Sequence, residues 1–161
     1  MSGCDREERN NAMKAISLWQ PWASLIATGA KTIETRSWST NYRGPLAIHA
    51  AKTWNQELDA MICEGRIQGG LAPLVGKPLG HTWPGVHKKD LPFGCVVAIC
   101  DLVDCIPTAE MTQTQVFPQR FFGDFTPGRY GWVLANVRRI EPIPAIGRQG
   151  FWDWSPPEGV S

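Results

Sequence analysis

The segment FGCVVAICDLVDCI, residues 93–106, is apolar at nearly every position rather than at every second one. A strand of that kind must be covered on both faces. RYGWVLANVRRIE reads as a second long strand. Tyr130, Trp132 and Leu134 share one of its faces, and Val133, Ala135 and Val137 share the other. Three shorter strands are expected at AISLWQ, KTIETRSW and PLAIHAAK. Pro21 sits where a helix can begin, Trp22, Leu25 and Ile26 follow at helical spacing, and Gly29 can close it. Thr53 and Gln56 have capping-box spacing and predict a second helix ending near Gly65, with Trp54, Leu58, Met61 and Ile62 on its buried stripe. Two irregular segments are expected. One, at 66–92, is rich in Gly and Pro and contains Trp83; the other, at 107–128, is polar and aromatic, with room for a short helix after Thr108. The tail GRQGFWDW reads as a turn followed by aromatic residues. The predicted fold is α+β and mostly β: about five strands in a small closed β-barrel, flanked by two or three short helices. An open mixed sheet is the alternative.

Length and composition narrow the function classes. The 161 residues suit one domain, expected over 13–161 behind a disordered leader at 1–12. Sixteen basic and fifteen acidic side chains leave a net charge of +1, which argues against a general polyanion coat. No apolar run reaches the roughly 18 residues of a membrane span. The polar start lacks the apolar stretch of a signal peptide, so a cytoplasmic, monomeric protein with no membrane partner is the expectation. The five cysteines, Cys4, Cys63, Cys95, Cys100 and Cys105, include no CxxC pair. Their odd number and spacing argue against a disulfide framework and a zinc knuckle, and His81 and His87 have no Cys nearby. No metal and no cofactor is expected.

The chemistry concentrates in residues 19–52. Lys31, Arg36, Arg43 and Lys52 stand there against one acid, Glu34. Such a local excess of positive charge suits a short phosphodiester or a single nucleotide better than a long duplex. Glu34 and Arg36 are two apart in a strand, so both face one way, with Trp38 following on the same face. An exposed ion pair is the plainer reading of the two alone. Lys31, Trp19 and Gln20, converging from the preceding turn, favour a ligand cleft. Strict alternation would aim Lys31 away from Glu34 unless the turn at Gly29 redirects it. Gln20 precedes a helix start, where an anion is favoured, and a ligand contact is preferred there over capping. Trp19 and Trp22 read as core before base platform. His49 reads as a hydrogen-bonded wall residue, and Lys52 as a phosphate contact or a solvated side chain. Arg138-Arg139 and Lys88-Lys89 are short basic pairs that could extend a groove.

The pattern Gly-x-Lys-x-x-Glu-x-Arg, here Gly29, Lys31, Glu34 and Arg36, resembles the signature of the activating-signal-cointegrator homology (ASCH) domain. The flanking segments WQPWAS, RGPLAIHAAK and FGCVVAICDLVDC are similar to the same family in the same order, and the likeness covers most of residues 14–141. The resemblance implies a PUA-like barrel, a cleft lined by the motif's Lys, Glu and Arg, and binding of RNA or single-stranded nucleic acid, in some members within transcription coactivation. One bacterial branch is similar to amidohydrolases acting on 4-acetylcytidine, with a nucleophilic Thr three residues after the Lys. That position is Glu34 here, and a carboxylate cannot stand in for a hydroxyl nucleophile in amide hydrolysis.

The favoured expectation is a nucleic-acid-binding module for RNA or single strands, with Trp19, Gln20, Lys31, Glu34, Arg36, Arg43 and Lys52 as binding residues. The alternatives are a hydrolase of a modified nucleoside or of RNA in the same cleft, with Lys31 and Glu34 catalytic, and a protein-interaction module in transcription.

Overall fold

The computed structural model describes residues 11–76 and 85–160. Residues 1–10 of the leader expected at 1–12, together with His81 and Trp83, lie outside them. Six strands form one sheet in the order β2-β5-β4-β3-β1-β6. They are β1 (Met13–Leu18), β2 (Ile33–Arg36), β3 (Gly44–Ala50), β4 (Cys95–Pro107), β5 (Tyr130–Pro144) and β6 (Trp152–Trp154). β1 and β3 are parallel, and the other pairs are antiparallel. Four α-helical segments accompany the sheet: α1 (Trp22–Ala27), α2 (Asp59–Ile62), α3 (Gly65–Val75) and α4 (Gln113–Gln119).

β4 lies inside the sheet, between β5 and β3. Cys95 to Cys100 are all buried, while from Asp101 onward only Leu102 is. Its long pairing with β5 is broken by register shifts at Val96/Ala98, Ile99/Asp101 and Leu102/Asp104. Such bulges bend and coil a strand pair.

The class is the expected one, but the closed barrel is not formed. Among the described residues no ladder joins β2 to β6, and these edge strands have only four and three residues. Aromatic rings lie where a ladder would have closed the sheet. Trp38, just past β2, meets Phe151, just before β6, edge-on at 5.4 Å, and Tyr42 meets the same Phe151 ring at 5.4 Å. Trp132 of β5 stacks on Phe151 at 5.3 Å and joins Ile48, Val97 and Leu102 in the main core.

The helices depart further from expectation. The expected 66–92 loop begins as α3. Glu64 caps that helix by accepting from the Arg66 and Ile67 amides at 2.9 and 3.2 Å, and Ile67, Leu71 and Ala72 are buried. Its glycines and Pro73 obscure it in the sequence, yet Gly70 has a packing role. A Cβ there would lie 2.5 Å from Leu25 Cδ2, so α1 and α3 approach closely because position 70 has none. The expected helix from Thr53 is shorter. Asn55 caps a 3₁₀ turn, Gln56–Leu58, before α2. Leu58 and Ile62 are buried, but Met61 is 39% exposed. Among the described residues no helix is long and apolar enough to cross a membrane.

Candidate functional site

The motif becomes a site through the turn that follows α1. Gly29 adopts φ +82°, its amide bonds Ile26 O at 2.8 Å, and the Lys31 amide bonds Leu25 O at 3.0 Å. This turn redirects Lys31 toward the face that Glu34 occupies, which strand alternation alone would not do. Lys31 is 1% exposed. Its ammonium donates to Ile33 O at 2.8 Å and to Phe122 O, and lies 3.2 Å from Glu34 Oε2. Burial pulls its pKa below the ordinary lysine value, while the Glu34 carboxylate works the other way. Glu34 Oε1 is 3.1 Å from Arg36 Nε, and Arg36 Nη2 donates to Ser17 O at 3.1 Å.

Residues 107–128, expected as a polar and aromatic insertion, form the roof. Its anchor is Gln119 at the end of α4. Gln119 Oε1 accepts from the Thr32 and Ile33 amides at 2.8 and 3.3 Å, and its Nε2 donates to Ala30 O at 3.1 Å. The Asp124 amide donates to Thr35 Oγ1 at 3.1 Å. β2 is an edge strand, so the roof folds over its free side and brings Thr35 into the lining as well.

Two adjoining hollows of about 440 Å³ each result, and they share Trp22, Glu34, Thr35 and Arg129. One continues under Phe121, Phe122 and Asp124; the other continues along Ser17, Trp19, Arg36 and Trp38. Arg129 Nη2 donates to Thr35 O at 3.3 Å, and its Nε is 3.5 Å from Asp124 Oδ2. The Nε–H groups of Arg36 and Arg129 are both buried, and neither is aligned for a hydrogen bond with its neighbouring carboxylate. Buried donors left open are costly unless a ligand or water answers them. Larger hollows of about 790 and about 990 Å³ lie beside His49 and beside Gln68. Neither contains a buried ion pair like that of Lys31 and Glu34.

Lys31, Glu34, Arg36 and Trp19 therefore meet at one site. Trp19 is 52% exposed rather than core, because β1 ends at Leu18 and the chain turns outward. Gln20 does not reach the site. It is 0% exposed, its Nε2 donates to Pro92 O at 2.7 Å and its Oε1 accepts from the Ser24 amide at 3.1 Å. It is an internal tie, and the expected ligand contact is replaced by capping. Arg43 lines neither hollow; it bonds Thr40 O, Tyr42 O and Asp104. Lys52 lines the hollow beside His49, which touches the cleft only through Ser17. His49 is the expected wall residue. Its Nε2 lies 2.9 Å from Ala145 O and therefore carries the proton, leaving Nδ1 to accept from Ser17 Oγ at 3.0 Å. Burial lowers its pKa. Arg139 bonds Pro73 O and Leu74 O at the end of α3, so this half of the basic pair is occupied by the fold.

Sequence reasoning missed Arg129, Asp124 and Arg120. The insertion was visible as a segment, but nothing in its residues encoded which part would lie over the motif. Among the described residues no group of three His, Cys, Asp or Glu side chains is placed to hold a metal ion.

The ASCH domain family model matches residues 16–144. The chain belongs to the ASCH domain family. Human activating signal cointegrator 1 is 38% identical over 140 residues, which is 85% of this ASCH chain and 21% of that protein. The mouse protein of the same name is 37% identical over 138 residues, with the same coverage. The ASCH chain thus spans about a fifth of the length of the curated relatives it matches. Among solved structures, it is similar to that of ASCH from Zymomonas mobilis, with 15% identity, a TM-score of 0.47, and 81% of this chain and 72% of that chain covered.

Proposed function

We propose that this ASCH domain binds single-stranded nucleic acid, RNA foremost, by admitting one nucleotide to the cleft between β2 and the 107–128 roof. The observation that carries this reading is the pair of guanidinium groups, Arg36 and Arg129, that line the cleft together with Glu34 and Thr35. Two guanidinium groups suit a phosphate's oxygens. The hollows have the volume of a small-ligand site, and Trp19, Trp22 and Trp38 offer ring surface to a base. Glu34 supplies an acceptor for the donor edge of that base. Lys31 has another role from the one its charge suggests. An ammonium has three donors. Here Ile33 O, Phe122 O and Glu34 take all three, so Lys31 fixes Glu34, and the phosphate falls to the arginines.

The test is a titration of a short single-stranded RNA into the purified chain and its Arg36→Ala variant at low salt. Loss of a charge-assisted contact should weaken binding by ~1–3 kcal/mol. Unaltered affinity in Arg36→Ala would remove the cleft from the reading.

A further inference from the structure

A second feature borders the cleft and is not explained by it. α4 turns Gln119 inward, and Phe117, two residues earlier and about 200° around the helix, points outward. Phe117 is 59% exposed. The packing of α4 does not need this ring, since Gln119 makes the anchoring contacts. Arg120, the helix's C-cap, follows at the i+3 spacing that places it on Phe117's side, and Phe121 comes next in the turn beyond. The Arg120 guanidinium lies 4.6 Å from the Phe117 ring centroid and 4.9 Å from that of Phe121. Arg66, from the separate helix α3, lies 3.7 Å from the Phe121 centroid. Phe117, Arg120, Phe121 and Arg66 thus form a ladder of alternating rings and cations. Its Arg120 and Phe121 line the hollow that holds Lys31 and Glu34. Among the described residues Arg120 has no carboxylate within 4 Å, and the nearest to Arg66 is Glu64 at the long distance of 3.9 Å.

Resting on the single-strand reading above, we propose that this ladder is a second subsite, where the base next to the bound nucleotide stacks on Phe117 while Arg120 and Arg66 meet the phosphates flanking it. An exposed ring beside uncommitted guanidinium groups is the pairing that a single strand requires, because every base has a face to stack and every linkage a charge to neutralise. A duplex has no such face to offer, since its bases stack on one another. Arg120 and Arg66, each held over a ring, are preorganised for backbone oxygens. Purines present more surface than pyrimidines, so the subsite favours a purine neighbour.

The experiment uses the full chain with three probes: fluorescein-labelled hexa-adenylate RNA, labelled hexa-uridylate RNA, and adenosine 5′-monophosphate as a competitor. Phe117→Ala should weaken hexa-adenylate binding about tenfold, within the range for one stacked base. It should leave the monophosphate within twofold and reduce the preference for hexa-adenylate over hexa-uridylate. Phe117→Trp should retain the wild-type values. An unchanged thermal midpoint in Phe117→Ala shows that the fold is intact, as expected for a ring so exposed. Equal losses for hexamer and monophosphate, or no loss for the hexamer, would overturn the subsite. Wild-type failure to bind any of the three probes would overturn both readings. Hexamer binding that survives Arg36→Ala but not Phe117→Ala would remove the cleft reading and leave the ladder standing. The reverse pattern would remove the ladder and leave the cleft.

Discussion

At the scale of single residues, Lys31 and Glu34 show how far spacing can be trusted. The shared face of Glu34 and Arg36 follows from strand periodicity, and the structure holds them 3.1 Å apart. Lys31 was legible by type but not by direction, because a turn and not a strand aims it. Gln20 was misread because side-chain capping by glutamine is uncommon, and the carbonyl it also needs, Pro92 O, is 72 residues away. The Lys31–Glu34 pair yields a pH-dependent prediction. The folded pKa of Lys31 lies below its ordinary value of 10.5, so between those two values the unfolded chain binds more protons. Stability contributed by this group therefore rises with pH across that window. Glu34→Gln removes the countercharge and leaves a buried ammonium less well met. The variant should lose ~1.5–3 kcal/mol at pH 7, the range for a hydrogen bond to a charged group. The gap from wild type should narrow as pH approaches 10.5 and Lys31 sheds its proton. Denaturant midpoints of both proteins at pH 7 and pH 9.5 test this, and a gap that widened with pH would refute it.

At the scale of elements, the long central strands were legible and the small pieces were not. β4 and β5 are specified by continuous or alternating apolar runs, which few other structures can bury. α3 was hidden because its glycines and Pro73 read as loop residues. Gly70 is there for contact with Leu25, and that requirement lies in the tertiary structure alone. β6 has three residues, too few for any periodicity. The roof was recognisable as an unusual segment, yet its position depends on one buried side chain, Gln119. Gln119→Ala should strand the Thr32 and Ile33 amides and Ala30 O, at a cost of roughly 1–3 kcal/mol. The loss should be local. Hydrogen exchange should quicken in residues 113–124 and at Thr32 and Ile33, while the β4–β5 amides stay protected. RNA binding should weaken with it, since the roof supplies one wall of the cleft. Unchanged protection in residues 113–124 would show that Gln119 is not the anchor.

For the molecule as a whole, the distribution of charge matters more than its sum. The chain carries only +1, yet Arg36, Arg120 and Arg129 line the two hollows and Arg66 stands just outside. The sequence reading puts the positive patch at Lys31, Arg36, Arg43 and Lys52, and of these the fold sets only Lys31 and Arg36 in the hollows. Lys31 spends its donors internally, and Arg43 pairs with Asp104 away from the cleft. Arg66, Arg120 and Arg129 replace them, from segments that reach the motif only through the fold. Three or four of these arginines contacting phosphates would give a log–log salt slope of about −2 to −3, since each contact on a single strand contributes roughly −0.7. Arg129→Ala should make that slope shallower by about 0.7, as one released counterion is lost. Arg43→Ala should leave it unchanged, because its guanidinium is turned toward Asp104. Affinities of a single-stranded RNA measured between low and moderate salt for the three proteins decide the matter. A shallower slope in Arg43→Ala, with none in Arg129→Ala, would place the strand across the β3 side of the sheet and away from the cleft beneath the roof.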